Sequence, residues 1–385
     1  MIQSKLPDTG TTIFSIMSGM ANRYRAINLS QGFPDFPVSP DLIELTARAM
    51  RDGHNQYAPM PGVPLLRERI ANKIRITGGR EVDIDSEITV TSGATEALFA
   101  TIMALVSTGD EVVILEPCYD SYIPAIKLAG GIPVPVQLTE PDFSVDWELV
   151  GRSLSDRTKL LVINSPHNPT GSTLSEQDLQ ALITLTEKYP QLLILSDEVY
   201  EHIIFDERKH HSVLNYPELE EKAIAVFSFG KTFHATGWKI GYCVAAPFLT
   251  EEIRKIHQYL TFSVHTPTQI AMANYLENEE NYLSLSKYYQ KKRDLFLENT
   301  KGSLFKPIKS TGTYFQLMDY SQITDEPDTK LAERLVKEYR LAAIPVSVFY
   351  TSKHDPKCLR FCFAKQDDTL LQAGEIIRSI DHRIL

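Results

Sequence analysis

Cysteine is scarce: Cys118, Cys243, Cys358 and Cys362 are the only four in 385 residues. Four thiols in so long a chain do not make a disulfide framework. Cys358 and Cys362 are spaced C-x3-C with no histidine cluster nearby, so buried apolar packing is the expected role of all four. Long apolar runs are missing too. No stretch reaches the ~18 residues of a membrane span, and residues 1–8 carry no apolar signal-peptide core. The expectation is a reduced, soluble, cytoplasmic protein with no membrane partner. A basic excess is also absent: 39 Lys and Arg face 49 Asp and Glu, a net charge of −10. A general nucleic-acid binder needs the opposite balance. No repeat or low-complexity tract stands out. With 43% apolar and 23% charged residues, the chain has an ordinary globular composition. Its length suits two domains, or one large α/β domain with a smaller partner.

Short apolar runs are present at 88–91, 111–115, 160–163, 192–195 and 223–227. Such runs fit strands buried on both faces. Helical patterns lie between them. Residues 96–106 read as one helix, and Ser175 with Asp178 forms a capping box opening another, to about Lys188. Strand–helix alternation predicts an α/β fold, a mostly parallel sheet flanked by helices. After about Glu251 the texture changes. A helical pattern over 282–299 precedes strand-like segments at 313–317, 343–348 and 359–363. The expected organisation is a large domain over 46–280 and a small α+β domain over 281–385. The Pro-rich segment 1–45 packs with the small domain.

Ser228-Phe229-Gly230-Lys231-Thr232 contains Gly-Lys-Thr, but the glycine that a P-loop requires five positions earlier is Ala225. No G-x-G-x-x-G follows a predicted strand, so a dinucleotide site is unsupported. What remains is a lysine at the end of a buried strand. Desolvation there lowers an amine's pKa and makes Lys231 a candidate Schiff-base nucleophile. Four segments add to it. Ser92-Gly93-Ala94-Thr95 joins a strand to a helix start, an anion site. Asn168-Pro169-Thr170-Gly171 is a turn whose Asn can face a ligand. Asp197 ends a strand at the sheet edge where ligands bind. Arg360, between apolar neighbours, needs an anionic partner. His210 and His211 sit in a polar stretch and read as solvated loop residues. No spacing supports a metal site.

The order Gly93-Ala94-Thr95, Asn168-Pro169-x-Gly171, Asp197-x-x-Tyr200, Ser228-x-x-Lys231, Gly237-Trp238-Lys239 and Arg360 resembles the fold-type I, class I pyridoxal-phosphate aminotransferases over nearly the whole chain. Gln31-Gly32-Phe33-Pro34, Asn55-Gln56-Tyr57-Ala58-Pro59 and Gly230-Lys231-Thr232-Phe233-His234 bring it nearest to the methionine and kynurenine/glutamine types. The resemblance implies the cofactor pyridoxal 5'-phosphate. It implies that Lys231 binds the cofactor covalently and then moves the substrate proton. Asp197 would pair with the pyridine nitrogen, and Tyr200 and Asn168 with the phenolic oxygen. Tyr119 would stack on the ring. Gly93, Ala94, Thr95, Ser228 and Lys239 would hold the phosphate. Tyr57 would reach it from a partner subunit, making a homodimer with shared sites. Arg360 would clamp the substrate carboxylate, with Asn168, the Gly32 backbone and Phe14 beside it.

Two positions depart from the broad pattern. Lys239 stands where arginine is common, which keeps the charge but loses the fork. His234 replaces a small or aliphatic residue. Residues 259–267 offer no second arginine for a distal carboxylate. The expected donor is therefore uncharged: methionine, or an aromatic, glutamine or kynurenine-like amino acid, passing its amino group to a 2-oxo acid. A cysteine-conjugate β-lyase on the same fold is the alternative. A DNA-binding regulator lacks an added module, and a catalytically dead relative would not keep Lys231, Asp197 and Arg360 together.

Overall fold

A computed structural model describes residues 2–380; Met1 and residues 381–385, at the outer ends of the two expected terminal segments, lie outside the described residues. A two-residue strand, β1 (Ile27–Asn28), comes first. Then β2 (Ile88–Thr91), β3 (Glu111–Glu116), β4 (Ile132–Gln137), β5 (Thr158–Asn164), β6 (Leu193–Asp197), β7 (Ala223–Ser228) and β8 (Gly241–Ala245) form a seven-stranded sheet. Its order is β2-β8-β7-β6-β5-β3-β4. Only β8 runs against the others.

Both faces of this sheet are covered, which explains its continuous apolar strands. Alternate residues of one strand enter different cores. Val113 and Leu115 pack in one apolar cluster, Val112 and Ile114 in the other. The same split takes Leu161 and Ile163 to one side and Leu160 and Val162 to the other. The exception is the edge strand β4, whose sequence Ile-Pro-Val-Pro-Val-Gln is largely exposed. Two prolines that cannot donate to a ladder are tolerated only at an edge.

The C-terminal part adds β9 (Lys306–Pro307), β10 (Phe315–Asp319), β11 (Leu341–Ala342), β12 (Ile344–Pro345) and β13 (Cys358–Cys362). Four of these pair antiparallel in the order β12-β13-β10-β9, while β11 pairs in parallel with β1. Arg360 lies in the interior strand β13, opposite Leu317 and Ile344. The four cysteines are buried and free.

The capping box at Ser175 and Asp178 forms as expected, opening helix Glu176–Lys188. Other boundaries differ. Helix Gly93–Leu105 starts three residues earlier than expected, because the Glu96 side chain turns back to accept the Ser92 N–H. The expected helix over 282–299 divides into Glu280–Leu283 and Leu285–Thr300. Ser284 Oγ donates to the Glu280 carbonyl at 2.6 Å, a back-bond that bends helices. The strand expected from 313 begins at Phe315, since Thr313 adopts a left-handed φ of 63°. The strand expected over 343–348 is two short pairings followed by a turn, Ser347–Phe349. Asp328 takes the Ser347 N–H at 2.7 Å and its hydroxyl at 2.6 Å, drawing the chain off the sheet.

Candidate functional site

The same-direction strands of the large sheet release their chains at one edge, and the antiparallel β8 begins there. Gly93 and Ala94 follow β2, Tyr119 follows β3, and Asn168 follows β5. Asp197 ends β6 and Ser228 ends β7. Together with Thr95, Tyr200, Lys231 and Lys239 they line a single pocket. Ten residues singled out from sequence thus converge on one cavity.

Gly93 has a φ of +74°, and a Cβ there would lie 3.3 Å from Lys239 Nζ. Glycine is what lets the turn and the cation approach. Gly241 holds the turn from behind: a Cβ there would sit 2.5 Å from the Phe227 carbonyl and 2.9 Å from Ala94 N. Lys239 Nζ donates to Thr95 Oγ1 at 3.3 Å. The first N–H groups of helix Gly93–Leu105, its dipole, a hydroxyl and an ammonium therefore face one point, an arrangement suited to a phosphate.

Lys231 sits in the one-turn helix Phe229–Thr232 directly after β7. Its amine donates to the Gly32 carbonyl at 3.2 Å and to Tyr314 Oη at 3.1 Å. Burial lowers its pKa to about 8, with the Arg360 cation adding to the fall and Asp197 opposing it. Half of such amines are neutral near pH 8, whereas an ordinary lysine reaches that point above pH 10. Acylation of Lys231 by an amine-selective reagent, followed by peptide mass spectrometry, is expected to rise with pH through a midpoint near 8. A midpoint above 10 would contradict the desolvated amine.

Asp197 is buried at 4% exposure. Tyr122 Oη donates to its Oδ2 at 2.6 Å, and Val199 N reaches Oδ1 at 3.4 Å. Burial nevertheless raises its pKa to about 6. Such a carboxylate gains from a cationic N–H donor in the pocket. Burial pushes the Tyr119 phenol up to about 12, and the Tyr200 phenol upward as well, so both stay neutral donors.

Arg360 is fully buried. It donates through Nη1 to Asn168 Oδ1 at 2.6 Å and through Nη2 to the Ser30 carbonyl at 3.0 Å. The guanidinium lies 3.9 Å from the Phe315 ring centre and 5.3 Å from that of Phe14. Through Asn168 it joins the pocket, as Gly32 does through Lys231. Tyr57 does not: it is 83% exposed, its ring set edge-on to Phe262 at 5.4 Å.

His210 and His211 lie in a loop as expected but are half-buried rather than freely solvated. His210 Nε2 meets Glu198 Oε2 at 2.8 Å, and His211 Nδ1 meets Tyr216 Oη at 2.9 Å. The buried Glu198 draws the polar stretch inward. Three further neighbours of the site lie outside the sequence motifs. Tyr122 reaches Asp197. Asn164 Nδ2 donates to the Asp197 carbonyl at 2.7 Å, and its Oδ1 accepts from Asn168 N at 2.8 Å. Tyr314 Oη donates to the Gly32 carbonyl at 2.6 Å. Only Asn164, the polar end of an apolar strand, could be found from pattern.

A buried primary amine of lowered pKa, a buried carboxylate, aromatic rings and a phosphate cradle fit pyridoxal phosphate in aldehyde, pyridine nitrogen, ring and phosphate. The pocket thus defines an enzyme of pyridoxal-phosphate type. The chain belongs to the class I and II aminotransferases, whose family model matches residues 24–377. Members of this family use pyridoxal phosphate, and the chain is an aminotransferase. It is 50% identical to the methionine aminotransferase of Escherichia coli strain K12 over 98% of both chains. A solved structure of a methionine aminotransferase from Escherichia coli superposes with a TM-score of 0.96 at 49% identity, covering 98% of this chain and 99% of that one. The N-succinyldiaminopimelate aminotransferase of Mycobacterium tuberculosis follows at 0.94 and 36% identity, covering 99% and 100%. Human kynurenine–oxoglutarate transaminase 1 is 33% identical over 93% of both chains.

Proposed function

We propose that the chain moves the amino group of an uncharged L-amino acid, methionine first, to a 2-oxo acid. The observation that carries this is Arg360, held deep among aromatic rings, with no second arginine among the described residues that line the pocket or the adjoining cleft. Phe14, Phe315 and Phe349 pack around its guanidinium. Ile13, Ile16, Asp120, Lys127 and Lys353 are among the residues that line the adjoining cleft. Asp120 lies within electrostatic reach of Arg360 and would repel a second carboxylate. The relative at 50% identity carries methionine in its name. Nothing among the relatives reported above favours the β-lyase alternative.

Bound pyridoxal phosphate supplies an aldehyde that takes up the amino group and a ring that accepts the electron pair left at Cα. In this reading Lys231 is the catalytic residue: as a neutral amine it removes the Cα proton and returns it to the adjoining carbon. Asp197, oriented by Tyr122, keeps a proton on the pyridine nitrogen. Asn168 and Tyr200 donate toward the phenolic oxygen, and Tyr119 covers the ring. Gly93, Ala94, Thr95, Ser228 and Lys239 hold the phosphate. Arg360 binds the substrate carboxylate, with Asn168 and Gly32 orienting it and Phe14 closing the apolar side.

A homodimer completes the picture. Tyr57, Tyr259, Leu260 and Phe262 are all exposed large side chains. Their burial against a second copy would let Tyr57 reach the partner's phosphate site. We read 46–280 as the large cofactor-binding domain and 1–45 with 281–385 as the small one, a division supported by the β1–β11 pairing. Among the described residues no helix is long and apolar enough to cross a membrane. Four free buried cysteines suit the reducing cytoplasm.

The test is a comparison of donors with a fixed 2-oxo acid. Methionine is expected to exceed aspartate in kcat/KM by at least about tenfold, the scale on which one misplaced charge discriminates. Neutral donors of similar size should spread over roughly 10- to 200-fold at most. Faster turnover of aspartate would defeat the argument from Arg360's surroundings. Release of pyruvate and ammonia from a cysteine conjugate without an acceptor would favour the lyase.

A further inference from the structure

Behind the turn Gly93-Ala94-Thr95 lies a buried acid–base pair that none of these roles uses. Glu96 turns one carboxylate oxygen to the Ser92 N–H and the other to His257 Nδ1, at 2.6 Å. The His257 ring has no exposed surface. Its Nε2 meets the Met60 carbonyl at 3.1 Å. A carboxylate and a carbonyl only accept, so both ring nitrogens face acceptors, and a ring with a proton on each would balance Glu96. Left unbalanced, the carboxylate would set a negative charge one residue from the anion-facing turn.

The same histidine is joined to the loop that carries Tyr57. Met60 belongs to that loop, and the Phe262 N–H donates to the His257 carbonyl at 2.9 Å. Phe262 in turn supports the Tyr57 ring. Ser263 Oγ donates to the Ala58 carbonyl at 3.0 Å, and Thr266 Oγ1 to that of Gln56 at 2.6 Å. The chain after His257 therefore clasps the loop along its length.

We propose that Glu96 and His257 form a positioning pair that neutralises the start of helix Gly93–Leu105 and sets the Tyr57 loop, so that phosphate hold by the turn and placement of Tyr57 are coupled. The proposal rests on the reading that Gly93, Ala94, Thr95 and Lys239 hold the cofactor phosphate.

The test titrates the dimeric apoenzyme with pyridoxal phosphate and with pyridoxal, which lacks the phosphate, and takes dissociation constants from absorbance. His257→Phe is expected to weaken pyridoxal phosphate by roughly tenfold or more and pyridoxal by less than about twofold. His257→Gln, which keeps a donor toward Glu96, should recover part of the loss. Combined with Tyr57→Phe, the losses should be less than additive. Equal weakening of both compounds, unchanged affinity in the folded variant, or strict additivity overturns the proposal. If His257→Phe does not fold, Glu96→Gln serves for the same comparison. Lys239→Met is the control. If it fails to separate the two compounds, the reading of the phosphate site falls. If it separates them and the His257 variants do not, only the positioning pair falls.

Discussion

The Lys231→Ala protein is expected to take up pyridoxal phosphate and to lose turnover by on the order of 10⁴-fold or more. The asymmetry follows from what surrounds the residue. The phosphate cradle at Gly93, Thr95 and Lys239, the Asp197 carboxylate and the Tyr119 ring line the pocket independently of the Lys231 side chain. Removing the amine leaves them standing. What disappears is the amine whose pKa, about 8, suits it to give and take a proton near neutrality. Lys231→Arg separates amine chemistry from simple charge. Its guanidinium stays protonated throughout the working range and cannot act as a base. Both variants should therefore be inactive in methionine turnover yet retain cofactor through gel filtration. Activity within tenfold of the parent in either variant would remove Lys231 from the chemistry. Loss of cofactor by both would mean that the covalent link, not the cradle, supplies most of the hold.

The parallel core is legible in the sequence because its strands are buried on both faces. Nothing polar interrupts runs such as Val112-Val113-Ile114-Leu115, so they stand out without any period. The site's charged residues are legible for the complementary reason. Asp197, Lys231 and Arg360 each place a charge where an apolar strand or its end expects none. The failures share a cause as well. Thr313 and Ser347 leave their strands because side chains far along the chain, or a left-handed turn, capture backbone groups that a ladder would use. Tyr122 and Tyr314 look like core aromatics. Their hydroxyls acquire partners only once β3, β6 and the C-terminal sheet meet. His257 is one polar residue of helix Pro247–Leu260, and only in the fold do Glu96 and Met60, from remote segments, close on its two nitrogens. Side-chain pairing across such sequence distances has no local signature.

Arg360→Ala is expected to raise KM for methionine by roughly 10²-fold, the scale of removing one partner from a buried charged pair, while the cofactor's dissociation constant moves far less. Arg360 is fully buried, and burial lowers its pKa only to about 10, so it remains a cation at neutral pH. Its two described acceptors are the neutral Asn168 Oδ1 and Ser30 carbonyl, and its Nε has no hydrogen-bond partner. A cation held this deep with neutral acceptors costs folding free energy that a substrate carboxylate would offset. Two consequences separate this account from a merely structural arginine. An amine donor without a carboxylate should be used equally poorly by Arg360→Ala and the parent, since it never engaged the guanidinium. Arg360→Met, which fills the space against Phe315 with an apolar chain, should melt at the same temperature as the parent or higher. If Arg360→Met is instead strongly destabilised and its KM for methionine is unchanged, the arginine holds β13 in place and the carboxylate binds elsewhere.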